Sequence, residues 1–200
     1  MNEFLRNAPS ITETLQKQAV AIAGCGGLGS NIAIMLARVG IGELFLVDFD
    51  KVEKSNLNRQ HYFKRHLGKP KVDALKEQIE EIHSYTTVKT LQEKVTSENA
   101  CEIFKDYNFV CEAFDNAQYK ASLVNSLLEK GGKTIVAASG MAGYNCADEI
   151  VTKRVFKNLF LVGDDKQSVY GEGIGLMAPR VMVCAAKQAN MIVRLLLGNI

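Results

Sequence analysis

The sequence predicts an α/β domain, a Rossmann-like, mostly parallel sheet with helices on both faces. Three observations carry that prediction. Extended and helical stretches alternate along most of the 200 residues, a glycine-rich turn joins the first strand to the first long helix, and the second strand runs into an acid. Ala19–Ala23 is a short apolar run and reads as a buried strand. Leu28–Val39 follows the glycines as a helix, and Glu43–Val47 is a second strand. In Lys71–Ile82 the apolar residues Val72, Leu75 and Ile79 recur at helical spacing, behind a proline suited to a helix start. Thr87–Leu91 is strand-like, and Ser97–Asp106 predicts a short helix capped by Ser97. Phe109–Ala113 is a further buried strand, then a helix runs from Ala117 to Glu129. Gly131–Gly132 turns the chain into a strand at Thr134–Ala138. Beyond it the rhythm changes. Asp148–Lys153 and Asn158–Val162 predict two antiparallel strands added near the C-terminus, residues 163–175 a mobile polar loop, and Met177–Leu197 a closing apolar helix.

Two hundred residues suit one domain, 1–200, able to bury about 70% of its unfolded surface in one core. Nothing marks a linker or a repeat. A net charge of +2 gives no argument for a nucleic acid or membrane partner. No apolar run approaches the roughly 20 residues of a membrane span. The N-terminal segment, residues 1–18, is polar and carries acids, so it is not expected to be a signal or transit peptide. The five cysteines are odd in number and include no CxxC pair, which favours reduced thiols in a cytoplasm and argues against a four-thiolate zinc site. His61 and His66 lack acidic or thiol partners at useful spacing, so metal ligation by them is not expected.

Gly24, Gly26 and Gly29 fit GxGxxG, with Gly27 as an extra glycine. Such a turn brings backbone N–H groups up to a phosphate at the positive end of a helix. Asp48 lies 19 positions after Gly29, where an acid accepts hydrogen bonds from ribose hydroxyls. A redox dinucleotide needs little positive charge beyond this, whereas a triphosphate undergoing cleavage needs cations for its departing pyrophosphate. Asn56, Arg59, Gln60 and Lys71 follow the acid closely, in a stretch too polar for the core. At a helix start Lys71 opposes the dipole, so it is either a solvated lysine or a cation held beside phosphate. Asp115 emerges after the strand Phe109–Ala113, at the sheet edge where open α/β folds bind ligands. It could hold Mg²⁺ on the phosphates or cap the next helix.

Together, "GCGGLGS", "VDFDKVEKSNLNRQ", "GKPKVDAL" and "EAFDN" resemble the ATP-dependent activating enzymes of ubiquitin-like and sulfur-carrier proteins, the superfamily of ThiF, MoeB and the ubiquitin-activating enzymes. The short length, with "AASGMAGY" and "GLMAPR", resembles most a compact ThiF-like group of thiamine biosynthesis. The resemblance implies adenylation of the C-terminal glycine of a ThiS-like carrier protein with release of pyrophosphate. It implies Asp48 at the ribose, and Asn56, Arg59, Gln60 and Lys71 at the phosphates. Gly24, Gly26, Gly27 and Gly29 would form the nucleotide turn, with Asp115 beside Mg²⁺ and needed, with Arg59 and Lys71, for catalysis. A homodimer is implied too, with Arg6 a weak candidate for the arginine that relatives lend to a partner's ATP. The carrier tail would enter over residues 163–175. The paired CxxC ligands of larger relatives are missing, so no zinc is expected, and the late polar loop lacks the cysteine some relatives use in covalent transfer. Two rival readings stay open: an NAD-dependent oxidoreductase, and a non-catalytic nucleotide-binding member of the family.

Overall fold

The computed structural model describes residues 4–8, 10–165 and 174–199. In chain order the elements are α1 (Thr12–Leu15), β1 (Ala19–Ala23), α2 (Gly27–Val39), β2 (Glu43–Val47), α3 (Lys71–Ile82), β3 (Thr87–Leu91) and α4 (Ala100–Ile103). There follow β4 (Phe109–Glu112), α5 (Ala117–Lys130), β5 (Thr134–Ala138), β6 (Val151–Phe156), β7 (Leu159–Gly163) and α6 (Ala178–Leu196). The seven strands form one sheet in the order β3-β2-β1-β4-β5-β7-β6. All neighbours pair parallel except β6 with β7, which are antiparallel. This is the predicted Rossmann-like architecture.

Side chains alternate across the sheet, so its buried strands feed two cores, one on each face. Val20, Ile22, Leu44 and Leu46 pack with Ile32, Leu36, Leu75, Ile79, Cys184 and Ile192 under α2, α3 and α6. Ala21, Ala23, Val47, Val110 and Ile135 pack with Phe104, Leu123 and Leu127 under α4 and α5. The strand order reverses between β1 and β4. Their carboxyl ends therefore diverge and leave a crevice, the place where such sheets take ligands.

Two expectations are corrected. The helix placed at 97–106 is only Ala100–Ile103, and Ser97 does not cap it: its hydroxyl donates to Glu98 Oε1 at 2.9 Å. Asn99 Oδ1 instead accepts from Thr96 N at 2.7 Å, which holds the preceding residues in a turn and delays the helix. The first antiparallel strand begins at Val151 rather than Asp148, because Ala147–Glu149 forms a single 3₁₀ turn, and β7 starts at Leu159. The predicted mobile loop falls mainly on residues 166–173, outside the described residues. Arg180 anchors the start of α6. It forms a buried ion pair with Asp164 and donates to the carbonyl oxygens of Asn145 and Cys146 at 2.8 and 2.7 Å. No helix among the described residues is long and apolar enough to cross a membrane.

Candidate active site

The glycine turn is built by close packing. Gly24 has φ +95°, a left-handed conformation that favours glycine, and donates its N–H to Val47 O at 2.8 Å. A Cβ on Gly29 would lie 1.8 Å from Gly24 O, so only hydrogen lets α2 start this close to the strand. Gly29 accordingly packs behind the turn, whereas Gly24, Gly26 and Gly27 face the crevice.

The polar stretch after β2 is tied to this turn by three side chains. Asn31 Nδ2, in α2, donates to Gly27 O at 2.7 Å and to Arg59 O at 3.1 Å. Ser30 Oγ donates to Gly26 O at 2.6 Å and accepts from His61 N at 2.9 Å. Tyr62 OH donates to Cys25 O at 2.7 Å. These bonds lay residues 59–62 along the crevice, with the Arg59 side chain running past Gly27.

The resulting cleft has an empty volume of about 890 Å³, a figure that includes open solvent at its mouth. Its lining includes Gly24, Gly26, Gly27, Asp48, Arg59, Gln60, Lys71 and Asp115, so most of the predicted site residues meet there. Asn56 does not reach it. Asn56 is buried and accepts from Glu53 N at 2.9 Å, which closes the 3₁₀ turn Lys54–Asn56. Arg6 is exposed and does not line its own chain's cleft.

Asp48 uses both oxygens on backbone, Oδ2 accepting from Cys25 N at 2.6 Å and Oδ1 from Asp50 N at 2.8 Å. Burial raises its pKa above the ordinary 3.8, against the opposing pull of Lys71 and those two N–H groups. Lys71 is not a solvated lysine. It is 5% exposed, and its ammonium sits 2.7 Å from Asp50 Oδ2. Asp115 does not cap α5, since Asn116 Oδ1 does that by accepting from Gln118 N and Tyr119 N at 2.9 and 3.1 Å. The Asp115 carboxylate is left at the cleft, exposed, with no hydrogen bond or ion pair to another described residue. Burial pushes the Cys25 thiol well above its ordinary range, with Asp48 adding to the shift, so it stays protonated at neutral pH.

Some lining residues were not anticipated. Asp50, the partner of Lys71, stands two residues after Asp48 in "DFD", a spacing that could have flagged it. Phe49, Lys94 and Tyr119 close one end: Lys94 Nζ bonds Tyr119 OH at 2.9 Å and lies 4.7 and 5.9 Å from the ring centres of Tyr119 and Phe49. Val95 and Phe114 add apolar surface to the lining, and aromatic faces of this kind suit stacking with a planar ring.

Charge and unsatisfied atoms describe what the cleft can hold. Arg59 Nε and Gln60 Oε1, both in lining residues, are buried without a partner among the described residues. Four carboxylates (Asp48, Asp50, Glu93, Asp115) face three cations (Arg59, Lys71, Lys94). That lining has no surplus positive charge for a polyphosphate, so a divalent cation arriving with the nucleotide fits it, and Asp115 is the free carboxylate to share. Among the described residues, no group of three or more His, Cys, Asp or Glu side chains is gathered as a metal site of its own.

The sheet order and this cleft define a doubly wound α/β domain with a cleft at the carboxyl ends of its strands. More narrowly, the chain belongs to the ThiF family, whose family model matches residues 4–200. It is 34% identical over 191 residues to the adenylyltransferase and sulfurtransferase MOCS3 of Dictyostelium discoideum, covering 93% of this chain and 44% of that protein. It is 37% identical over 155 residues to the tRNA threonylcarbamoyladenosine dehydratase of Bacillus subtilis, covering 74% of this chain and 59% of that one. The chain thus spans less than half of the first relative's length. Among solved structures, the fold matches E. coli TcdA, a tRNA N6-threonylcarbamoyladenosine dehydratase crystallised with ATP. The TM-score is 0.88 at 21% identity, over 98% of this chain and 92% of TcdA.

Proposed function

We propose that the protein is an ATP-dependent adenylyltransferase that activates a carboxylate, its substrate being the C-terminal glycine of a ThiS-like sulfur carrier in thiazole synthesis for thiamine. The single observation that carries the reading is the convergence of Arg59, Lys71 and Asp115 on one glycine-lined cleft. An NAD-dependent oxidoreductase would have no use for that trio.

The chemistry follows from the groups present. A carboxylate is a poor acyl donor. Its oxygen attacks the α-phosphorus, a new P–O bond forms, the bond to the β-phosphate bridging oxygen breaks, and pyrophosphate leaves with that electron pair. The acyl-adenylate so formed has a good leaving group. The attacking carboxylate is already ionised at neutral pH, so no general base is needed. Arg59 and Lys71 stabilise the charge developing on pyrophosphate, and the N–H groups of the glycine turn orient the α-phosphate. Asp48 holds the ribose, with Gln60 beside the phosphates. Asp115 would hold Mg²⁺, which when bound would neutralise phosphate charge. Asn56, outside the cleft, supports the turn that carries Arg59. A homodimer, with Arg6 reaching the partner's nucleotide, completes the reading.

A second substrate is favoured by the relatives named as tRNA threonylcarbamoyladenosine dehydratases, since a threonylcarbamoyl group also ends in a carboxylate. Exchange of labelled pyrophosphate into ATP separates the two. The proposal expects exchange only with a carrier ending in a free glycine. Exchange with threonylcarbamoylated tRNA and not with the carrier overturns the carrier assignment. No exchange with either, and tight NAD binding, overturns adenylation.

A further inference from the structure

Glu112 ends β4, three residues before Asp115, and is fully buried. Its carboxylate is engaged at both oxygens. Oε1 accepts from Phe114 N at 2.6 Å, and Oε2 lies 2.5 Å from Lys120 Nζ in the first turns of α5. Ala138 N, at the end of β5, approaches Oε2 at 3.4 Å, and the Glu112 backbone oxygen accepts from Gln188 Nε2 of α6 at 3.0 Å.

Those contacts bracket Asp115. Phe114 N–H fixes the residue just before it, and the Lys120 ammonium fixes the helix just after it. Asn116 caps that helix, so the segment 113–116 is held from both sides while the Asp115 carboxylate is left uncommitted. A buried ion pair is weak evidence of a stabilising role, because apolar packing of similar volume often serves folding as well. Its location, at the root of the one segment that delivers Asp115 to the cleft, suits orientation better. Groups that orient a metal-binding carboxylate are worth a large share of the metal affinity.

We infer that Glu112 and Lys120 are positioning residues that set the Asp115 carboxylate for the cation accompanying the nucleotide. This rests on the reading of the cleft given above. Mn²⁺ is the probe, its binding followed by paramagnetic resonance with a non-hydrolysable α,β-methylene analogue of ATP. The wild type retains Mn²⁺ when the analogue is present. Glu112→Gln and Lys120→Gln each weaken that retention by about 10-fold, the lower end of the range for groups bonded directly to a metal ligand, because they act on Asp115 through the backbone beside it. Metal-free affinity for the analogue stays at the wild-type level, which a general loss of structure would not allow. Lys120→Arg, which keeps the charge, keeps the retention. Should Glu112→Gln fail to fold, Lys120→Gln decides, because its side chain is partly exposed. Wild-type retention in both Gln variants overturns this inference alone. A wild type that holds no nucleotide-dependent Mn²⁺ overturns the reading of the cleft together with it.

Discussion

Lys71 keeps its ammonium indoors at the start of α3, facing a carboxylate that is itself about half exposed. This asymmetry separates catalysis from folding. Without Lys71, Asp50 can still be hydrated, so Lys71→Met is expected to fold with a near-normal unfolding midpoint. Pyrophosphate exchange, however, should fall about 10²–10³-fold, as when a donor to developing charge is removed. A large drop in midpoint with unchanged exchange per folded molecule would make Lys71 a structural lysine instead. Asp48 gives a pH signature. Because burial raises its pKa, the folded chain keeps that proton to higher pH than the unfolded chain does. The stability this contributes is complete below the ordinary 3.8 and is lost as pH rises through the raised folded value. Asp48→Asn lacks that loss, so urea midpoints over this window should shift in the variant's favour as pH rises. A shift toward the wild type would contradict the direction. At this scale the sequence made Asp48 and Asp115 legible because each closely follows a strand end, and Arg59 because it lies in a stretch too polar for the core just after the acid. It was silent on Asn31, whose two tethers join residues distant in sequence from inside an ordinary helix pattern. Nor could it tell that Asn56 turns inward to Glu53 N.

The inner strands β1, β2 and β5 were legible element by element because they are largely buried, and the edge strand β3, half exposed, also runs over its predicted bounds. The misreadings lie where side chains compete with the backbone, as at Asn99, or where an exposed strand such as β6 has no buried face to mark its ends. The turn between β1 and α2 offers a graded test. Gly29→Ala puts a methyl group 1.8 Å from a backbone oxygen, so the backbone must move. Gly27→Ala meets side-chain atoms alone, Val181 Cγ1 at 3.2 Å and Arg59 Cγ and Nε at an ordinary 3.7 Å. Gly29→Ala is therefore expected to cost about 1–3 kcal/mol of stability, read from urea unfolding, and to weaken ATP binding. Gly27→Ala should cost clearly less stability. Equal costs would contradict the packing argument.

At the scale of the whole molecule, the fold class was legible in the alternation of strand and helix, but the site was legible only as separate motifs. Sequence spacing cannot say that the ends of β1 and β4 diverge, or that Arg59 and Lys71 from the β2–α3 connection and Asp115 from the β4–α5 connection share one cleft. That convergence is what makes α-phosphorus chemistry the expected activity. Following ATP cleavage with label in each phosphate tests it directly, with the carrier's free C-terminal glycine supplied as the carboxylate. The account predicts carrier-dependent formation of AMP and pyrophosphate, with reversible exchange between pyrophosphate and ATP. Release of ADP and inorganic phosphate, or an absence of carrier-dependent turnover, would contradict it.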